Sequence, residues 1–238
     1  SVASAEKGFR VICFDPDVGR IEALRRQKLS ISEPDLPELF SKNQERLTFT
    51  ENVGDLSKCD VVYVAQDVPT DDQGQSDLEP IGTLIELVRE SMRKDAVTVI
   101  LSQVPPGFTR GRLQPGRVLH YQVETLIFGS AVERALYPER FIVGGVDPIL
   151  PLPDAYAQYL ESFNCPILPM RFESAELAKI SINCCLVSSI SVANTLAEIC
   201  EKIGADWSEI VPALRLDRRI GQYSYITPGL GISGGNLE

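Results

Sequence analysis

Lys179 and Asn183 stand four residues apart. In a helix that spacing puts both side chains on one face. An ammonium beside a carboxamide can hold a substrate hydroxyl. A partly desolvated lysine has a lowered pKa and can act as a general base. A solvated lysine next to a surface asparagine has the same spacing. Asp15 closes the apolar run RVICFD. At such a strand end in a dinucleotide fold, an acid accepts from the adenosine ribose 2′-hydroxyl and repels a 2′-phosphate, which favours NAD over NADP. It is equally a turn residue of the tripeptide DPD.

Further groups fall at the ends of other apolar runs. Glu124 follows VLHYQV, and Ser102 and Gln103 end the run before it, ahead of the stiff turn VPPG. The C-terminal edge of an open α/β sheet is where ligands bind, so these groups are candidates, with an exposed loop acid as the plain reading of Glu124. The stretch PGLGISGG, residues 228–235, offers backbone amides to a phosphate or carboxylate, or is a simple connecting loop. Arg215, Arg218 and Arg219 either clamp an anion or form a solvated basic patch. Cys184 and Cys185 lie mid-helix and are expected to be buried and inert.

Composition narrows the chemistry. The 238 residues carry 23 Lys and Arg against 33 Asp and Glu, a net charge of −10 without a basic run, which argues against nucleic acid as partner. A hydrophobic share of 44% supports a real core and excludes global disorder. No apolar stretch reaches membrane-spanning length, so no membrane is expected. The start, SVASAEKGFR, does not read as a signal peptide, so none is expected from it. The six cysteines show neither CxxC nor metal spacing, which fits a reduced, cytoplasmic chain. The single histidine, His120, argues against a His-based metal site or a Ser-His-Asp triad.

The elements that must position these groups read as alternating strands and helices. Val- and Ile-rich runs at 10–15, 61–65, 97–102, 118–123, 141–145 and 166–169 look like strands of a parallel sheet. Helices are expected at 18–28, 76–92, 130–137 and 153–163. The spacing predicts an α/β, Rossmann-like doubly wound sheet over residues 1–170. Residues 171–238 then read as an all-α unit. Its long helix is capped by Ser174, runs through Ile203 and stops at Gly204, and a second helix covers 208–214. The G-x-G-x-x-G loop of dinucleotide folds is absent, and residues 1–8 resemble the helix tail that follows it. The first strand and that loop are therefore expected upstream of Ser1, and a further domain beyond Glu238.

In order along the chain, these segments resemble the UDP-glucose/GDP-mannose dehydrogenase family. ICFDPDVGRIEALRRQKLSISEPDLPEL is similar to its strand, Asp, helix and I-x-E-P-x-L-x-E-L stretch. SQVPPG resembles S-T-V-P-x-G, and GSAVERALYPERFIVG resembles G-S-A-x-x-D-x-x-x-P-D-R-x-V-x-G. ESAELAKISINCCLVSSISVANTLAEICEKIGAD resembles the long central helix, and LDRRIG resembles D-x-R-I-G.

The resemblance implies NAD as cofactor, with Asp15 and Arg20 at the adenosine ribose and Ala65 and Ser102 also lining the cofactor. It implies a nucleotide sugar, most naturally a UDP-sugar, as substrate, wrapped by the loop of Gly229, Gly231 and Gly234. Lys179 and Asn183 match the pair that holds the sugar hydroxyl, Glu124 the acid that handles protons, and Arg219 the arginine that reaches a partner subunit's substrate. Family members dimerise through the long helix, so a homodimer is expected, with Ile190, Val192, Leu196 and Ile199 supplying apolar surface.

Departures qualify the match. Asn236 stands where the family has its nucleophilic Cys, and an amide cannot replace a thiolate. Gln103 replaces a Thr, and Phe128 replaces an acid. The expected chemistry is therefore one hydride transfer from a sugar hydroxyl to give an aldehyde or ketone without the thiohemiacetal step, or a different route past the aldehyde. A catalytically silent sugar- or nucleotide-binding homologue is the alternative.

Overall fold

The computed structural model describes residues 1–71 and 73–229. The chain divides into two compact units, Ser1–Leu177 and Ala178–Glu238.

The apolar runs of the first unit become short strands. A five-stranded sheet contains β3 (Val61–Val64), β4 (Val97–Ile100), β5 (Val118–Gln122), β6 (Phe141–Gly145) and β7 (Ile167–Arg171), hydrogen-bonded in that order. β4 is buried at all four positions, as its unalternating VTVI requires of a strand covered on both faces. A separate parallel pair is formed by β1 (Val11–Phe14) and β2 (Leu47–Thr50). Sequence periodicity did not predict β2. Its alternating LTFT signature is only four residues long.

β3, β4 and β5 run parallel, with Val64 opposite Ile100 and Ile100 opposite Tyr121. The all-parallel sheet expected from the sequence is corrected at one junction, because β6 runs antiparallel to β5. β7 is parallel to β6.

Helices α1 (Val2–Glu6), α2 (Val18–Arg25), α3 (Leu36–Lys42), α4 (Glu79–Ser91), α5 (Ala131–Leu136) and α6 (Asp154–Glu161) complete this unit. The four expected from the sequence all come out shorter than their patterns suggest, two of them for clear local reasons. Gln27 enters the left-handed region at φ 58°, and Lys28 N–H closes onto the Ala23 carbonyl, which ends α2. Asp77 accepts from Glu79 N–H and donates its own N–H to the Pro69 carbonyl, which delays α4. The core gathers Val97, Val99, Phe141, Val143, Tyr156, Leu160 and Phe163. At Gly144 the strand comes so close to Phe172 and Ala175 that a built Cβ would stand 3.0 Å from Ala175 Cβ.

α7 spans Phe172–Ile203, 32 residues, and follows β7 without a linker. Ser174 therefore lies inside its first turn, not at its cap. Gly204 ends it at φ 76°, with Ala205 N–H returning to the Cys200 carbonyl. α8 (Trp207–Leu216) is capped by Asp206, whose Oδ1 accepts from Ser208 N–H at 2.7 Å.

The expectation that no apolar stretch reaches membrane-spanning length is corrected at α7. By length and composition alone α7 could cross a bilayer, with an 18-residue window of mean hydropathy 1.5 of which 11% is buried. Its Ser, Asn, Cys and Thr residues break an unbroken-run count but carry no charge from 180 to 197. Cys184 and Cys185, expected buried, are exposed. Of the four apolar residues expected on the surface, Val192, Leu196 and Ile199 are exposed, but Ile190 is 5% exposed and packs inside.

Candidate functional site

In the first unit, three candidates follow three adjacent parallel strands. Ala65 comes directly after β3, Ser102 two residues after β4, and Glu124 two residues after β5. Strand polarity puts all three at one sheet edge, the carboxyl edge where open sheets bind ligands. Ser102 is 6% exposed, and its Oγ has no hydrogen-bond partner. A buried hydroxyl without a partner is costly. A ligand hydrogen bond would satisfy it, so this edge fits a bound cofactor.

Asp15 and Arg20 meet directly. Arg20 Nη1 donates to Asp15 Oδ2 at 2.6 Å, and this raises the Arg20 pKa. Asp17 caps α2 by accepting from Arg20 N–H at 3.2 Å, which fixes the helix start that carries the guanidinium. Asp15 Oδ1 accepts from Asp17 N–H, so both carboxylate oxygens are engaged within this turn.

Glu124 is exposed and accepts from its neighbour Thr125 N–H. Two residues earlier, Gln122 is buried, and its Oε1 accepts from Tyr63 Oη at 3.0 Å and Tyr156 Oη at 2.8 Å. Burial pushes both phenols well above their ordinary pKa. They therefore stay protonated donors, and the strand end that carries Glu124 is pinned. Phe128, in the same loop, is 88% exposed.

Sequence reasoning missed two buried acids here. Glu176, 1% exposed, accepts from Gly107 N–H at 2.6 Å and Thr109 N–H at 2.8 Å. Glu33, 6% exposed, accepts from Gly129 N–H at 2.8 Å and Ala131 N–H at 3.3 Å. Their signal was an acid inside an apolar motif, SAEL and ISEP, which buries only if paired.

In the second unit, Lys179 and Asn183 are half-buried, one turn apart on α7. Arg219 is exposed and folded onto Asp217, with Nη2 donating to Oδ2 at 2.7 Å and Nε to Oδ1 at 3.0 Å. This pairing lowers the Asp217 pKa. Gly229 exchanges two hydrogen bonds with the Asn194 amide, each 2.8 Å. Sequence reasoning did not single out Asn194. Gly231, Gly234 and Asn236 lie outside the described residues. Among the described residues no group of His, Cys, Asp or Glu could hold a metal ion.

Comparison with known proteins decides the lineage. Residues 1–150 match the NAD-binding domain of the UDP-glucose/GDP-mannose dehydrogenase family, and residues 173–238 match its central domain. The chain belongs to this family. Its cofactor is NAD. UDP-glucose 6-dehydrogenase TuaD of Bacillus subtilis is 31% identical over 97% of this chain and 52% of its own length. The Rickettsia typhi UDP-glucose 6-dehydrogenase is 32% identical over 95% and 54%. The chain thus spans about half the length of these dehydrogenases. The structure of a UDP-glucose dehydrogenase from Pyrobaculum islandicum superposes with a TM-score of 0.84 at 28% identity, over 98% of this chain and 57% of that one. A GDP-mannose dehydrogenase of Pseudomonas aeruginosa shares the fold, with a TM-score of 0.81 at 22% identity.

Proposed function

We propose that the protein oxidises a hydroxyl of a nucleotide sugar, UDP-glucose being the first substrate to test, and does so once. The supporting observation is that Lys179 and Asn183 persist one turn apart on α7 while Asn236 takes the position of the nucleophilic Cys. Bound NAD supplies the hydride acceptor. Lys179 holds the substrate hydroxyl and takes its proton, and Asn183 donates to the same oxygen as charge develops. Glu124, which is exposed, matches the acid that handles protons in the family. Asp15 with Arg20 receives the adenosine ribose, and Ala65 and Ser102 line the cofactor. Loop amides from Gly229 onward and Arg219 hold the anionic substrate.

Without a thiolate, the aldehyde is released as product. Exposed Val192, Leu196 and Ile199 on α7 support a homodimer. The six free thiols support a reducing, cytoplasmic setting.

The test is full-length protein with NAD and a panel of nucleotide sugars. One NADH per UDP-glucose is expected, and two with UDP-glucuronate as product would end the single-oxidation reading. Lys179→Ala is expected to lower kcat by roughly a hundredfold or more, the usual scale for losing a general base. Unchanged turnover would remove Lys179 from the chemistry. NADH binding with no turnover on any sugar would favour the silent homologue instead.

A further inference from the structure

The two buried acids of the first unit do the same thing in the same way. Glu176 accepts from the N–H groups of residues 107 and 109, and Glu33 from those of residues 129 and 131. In each case the first donor is a glycine in the left-handed region, Gly107 at φ 95° and Gly129 at φ 86°. A Cβ at either glycine would meet nothing within 4 Å. Glycine is therefore needed for backbone conformation and not for space. The left-handed step brings two N–H groups, two residues apart, to face one anion, the geometry of a backbone nest. Each acceptor comes from far along the chain.

The loops so held matter. One follows β4 and carries Ser102 and Gln103, the other follows β5 and carries Glu124 and Phe128. The first runs from the strand through Pro105 and Pro106, whose fixed φ leaves little slack before the clamp at Gly107. The second is pinned at Gln122, at the Thr125 carbonyl by Arg134 Nε at 3.0 Å, and at Gly129 by Glu33. Between the last two anchors only residues 126–128 are left outward, and all three are exposed apolar side chains. Arg110, beside the first clamp, pairs with Glu173, one turn before Glu176 on α7.

We propose that Glu176 and Glu33 are a matched pair of positioning residues. Glu176 sets the loop after β4 for the cofactor, and Glu33 sets the loop after β5 for the nucleotide sugar. The assignment of ligands to loops rests on the function proposed above, in which Ser102 lines the cofactor and Glu124 handles the proton of the sugar hydroxyl. Each glutamate acts through backbone amides and touches no ligand itself. A carboxylate accepts two charge-assisted hydrogen bonds where a carboxamide accepts with one oxygen. Glutamate to glutamine therefore loosens a loop without changing its volume.

The experiment uses the full-length protein and its Glu176→Gln and Glu33→Gln variants. NADH affinity is read by fluorescence titration, UDP-glucose affinity by calorimetry, and KM and kcat by NADH formation. For Glu176→Gln, NADH affinity and KM for NAD should worsen about tenfold, the loss of one net hydrogen bond to a charged group, while UDP-glucose affinity stays within about twofold. For Glu33→Gln the split should reverse. General loss of packing would move both ligands together, and that result, or no change in either, overturns the proposal. Glu176→Asp and Glu33→Asp keep the charge but shorten the reach. If the Asp and Gln variants all fail to fold, the acids are structural and the proposal is overturned. Should wild type bind both ligands without turning over, the proposed reaction fails while the two affinity arms still decide the clamps.

Discussion

The two units differ in where their apolar side chains end up. In the first, seven buried residues on β4, β6 and α6 and the turn after α6 form one core, and buried acids and tyrosines have partners. Among the described residues of the second, α8 buries none, and the buried apolar side chains are Ile190, Ala193, Cys200 and Ile226. Val192, Leu196, Ile199, Ile203 and Leu216 are exposed beside them. A helix apolar around much of its circumference normally packs against something on most sides. The first unit thus has the core of an independent fold. The second leaves apolar side chains exposed, in keeping with the homodimer proposed above.

Breaking that contrast should have its largest effect on the second unit. Replacing Val192, Leu196 and Ile199 together by Glu places three desolvated charges in the proposed interface. Light scattering should then report a monomer where wild type is a dimer. A wild type that is already monomeric at micromolar concentration would remove the interpretation of this surface. Leu160→Ala, in the core of the first unit, should cost about 2–5 kcal/mol in chemical denaturation, whereas Val192→Ala in isolated monomer should cost almost nothing. Comparable losses would mean that the units are not so unlike.

A smaller effect involves pH. Burial lowers the pKa of His120 below 6.5, although its hydrogen bond to the Gly144 carbonyl opposes the shift. The unfolded chain therefore takes up the proton more readily than the folded one. Stability should be flat above about pH 6.5 and fall as the pH drops below it. His120→Gln should flatten that decline. An unchanged slope in the variant would assign it to other groups.

Much of the first unit was legible in the sequence because buried strands are unbroken runs of Val and Ile, and VTVI could hardly be anything else. β2 escaped because four alternating residues resemble a loop. The antiparallel β6 escaped because FIVGG looks the same in either direction. For the candidate site, residue type and strand-end position were enough to nominate Asp15, Ser102 and Glu124. They were not enough for Glu33, Glu176 or Asn194, whose partners are backbone amides, and a backbone amide has no letter in the sequence. The exposure of Cys184 and Cys185 was misjudged because a helix apolar all round looks buried whether its partner lies in the same chain or in another.

In the function proposed above, where Asp15 and Arg20 receive the adenosine ribose, their pairing bears on cofactor choice. An arginine near the adenosine ribose usually welcomes a 2′-phosphate. Here the guanidinium already has an anion at 2.6 Å, so an incoming phosphate meets a neutral pair with a carboxylate facing it. Discrimination at this position belongs to neither side chain alone. It works as a latch, and removing the acid would turn the same arginine from a bystander into a phosphate receptor.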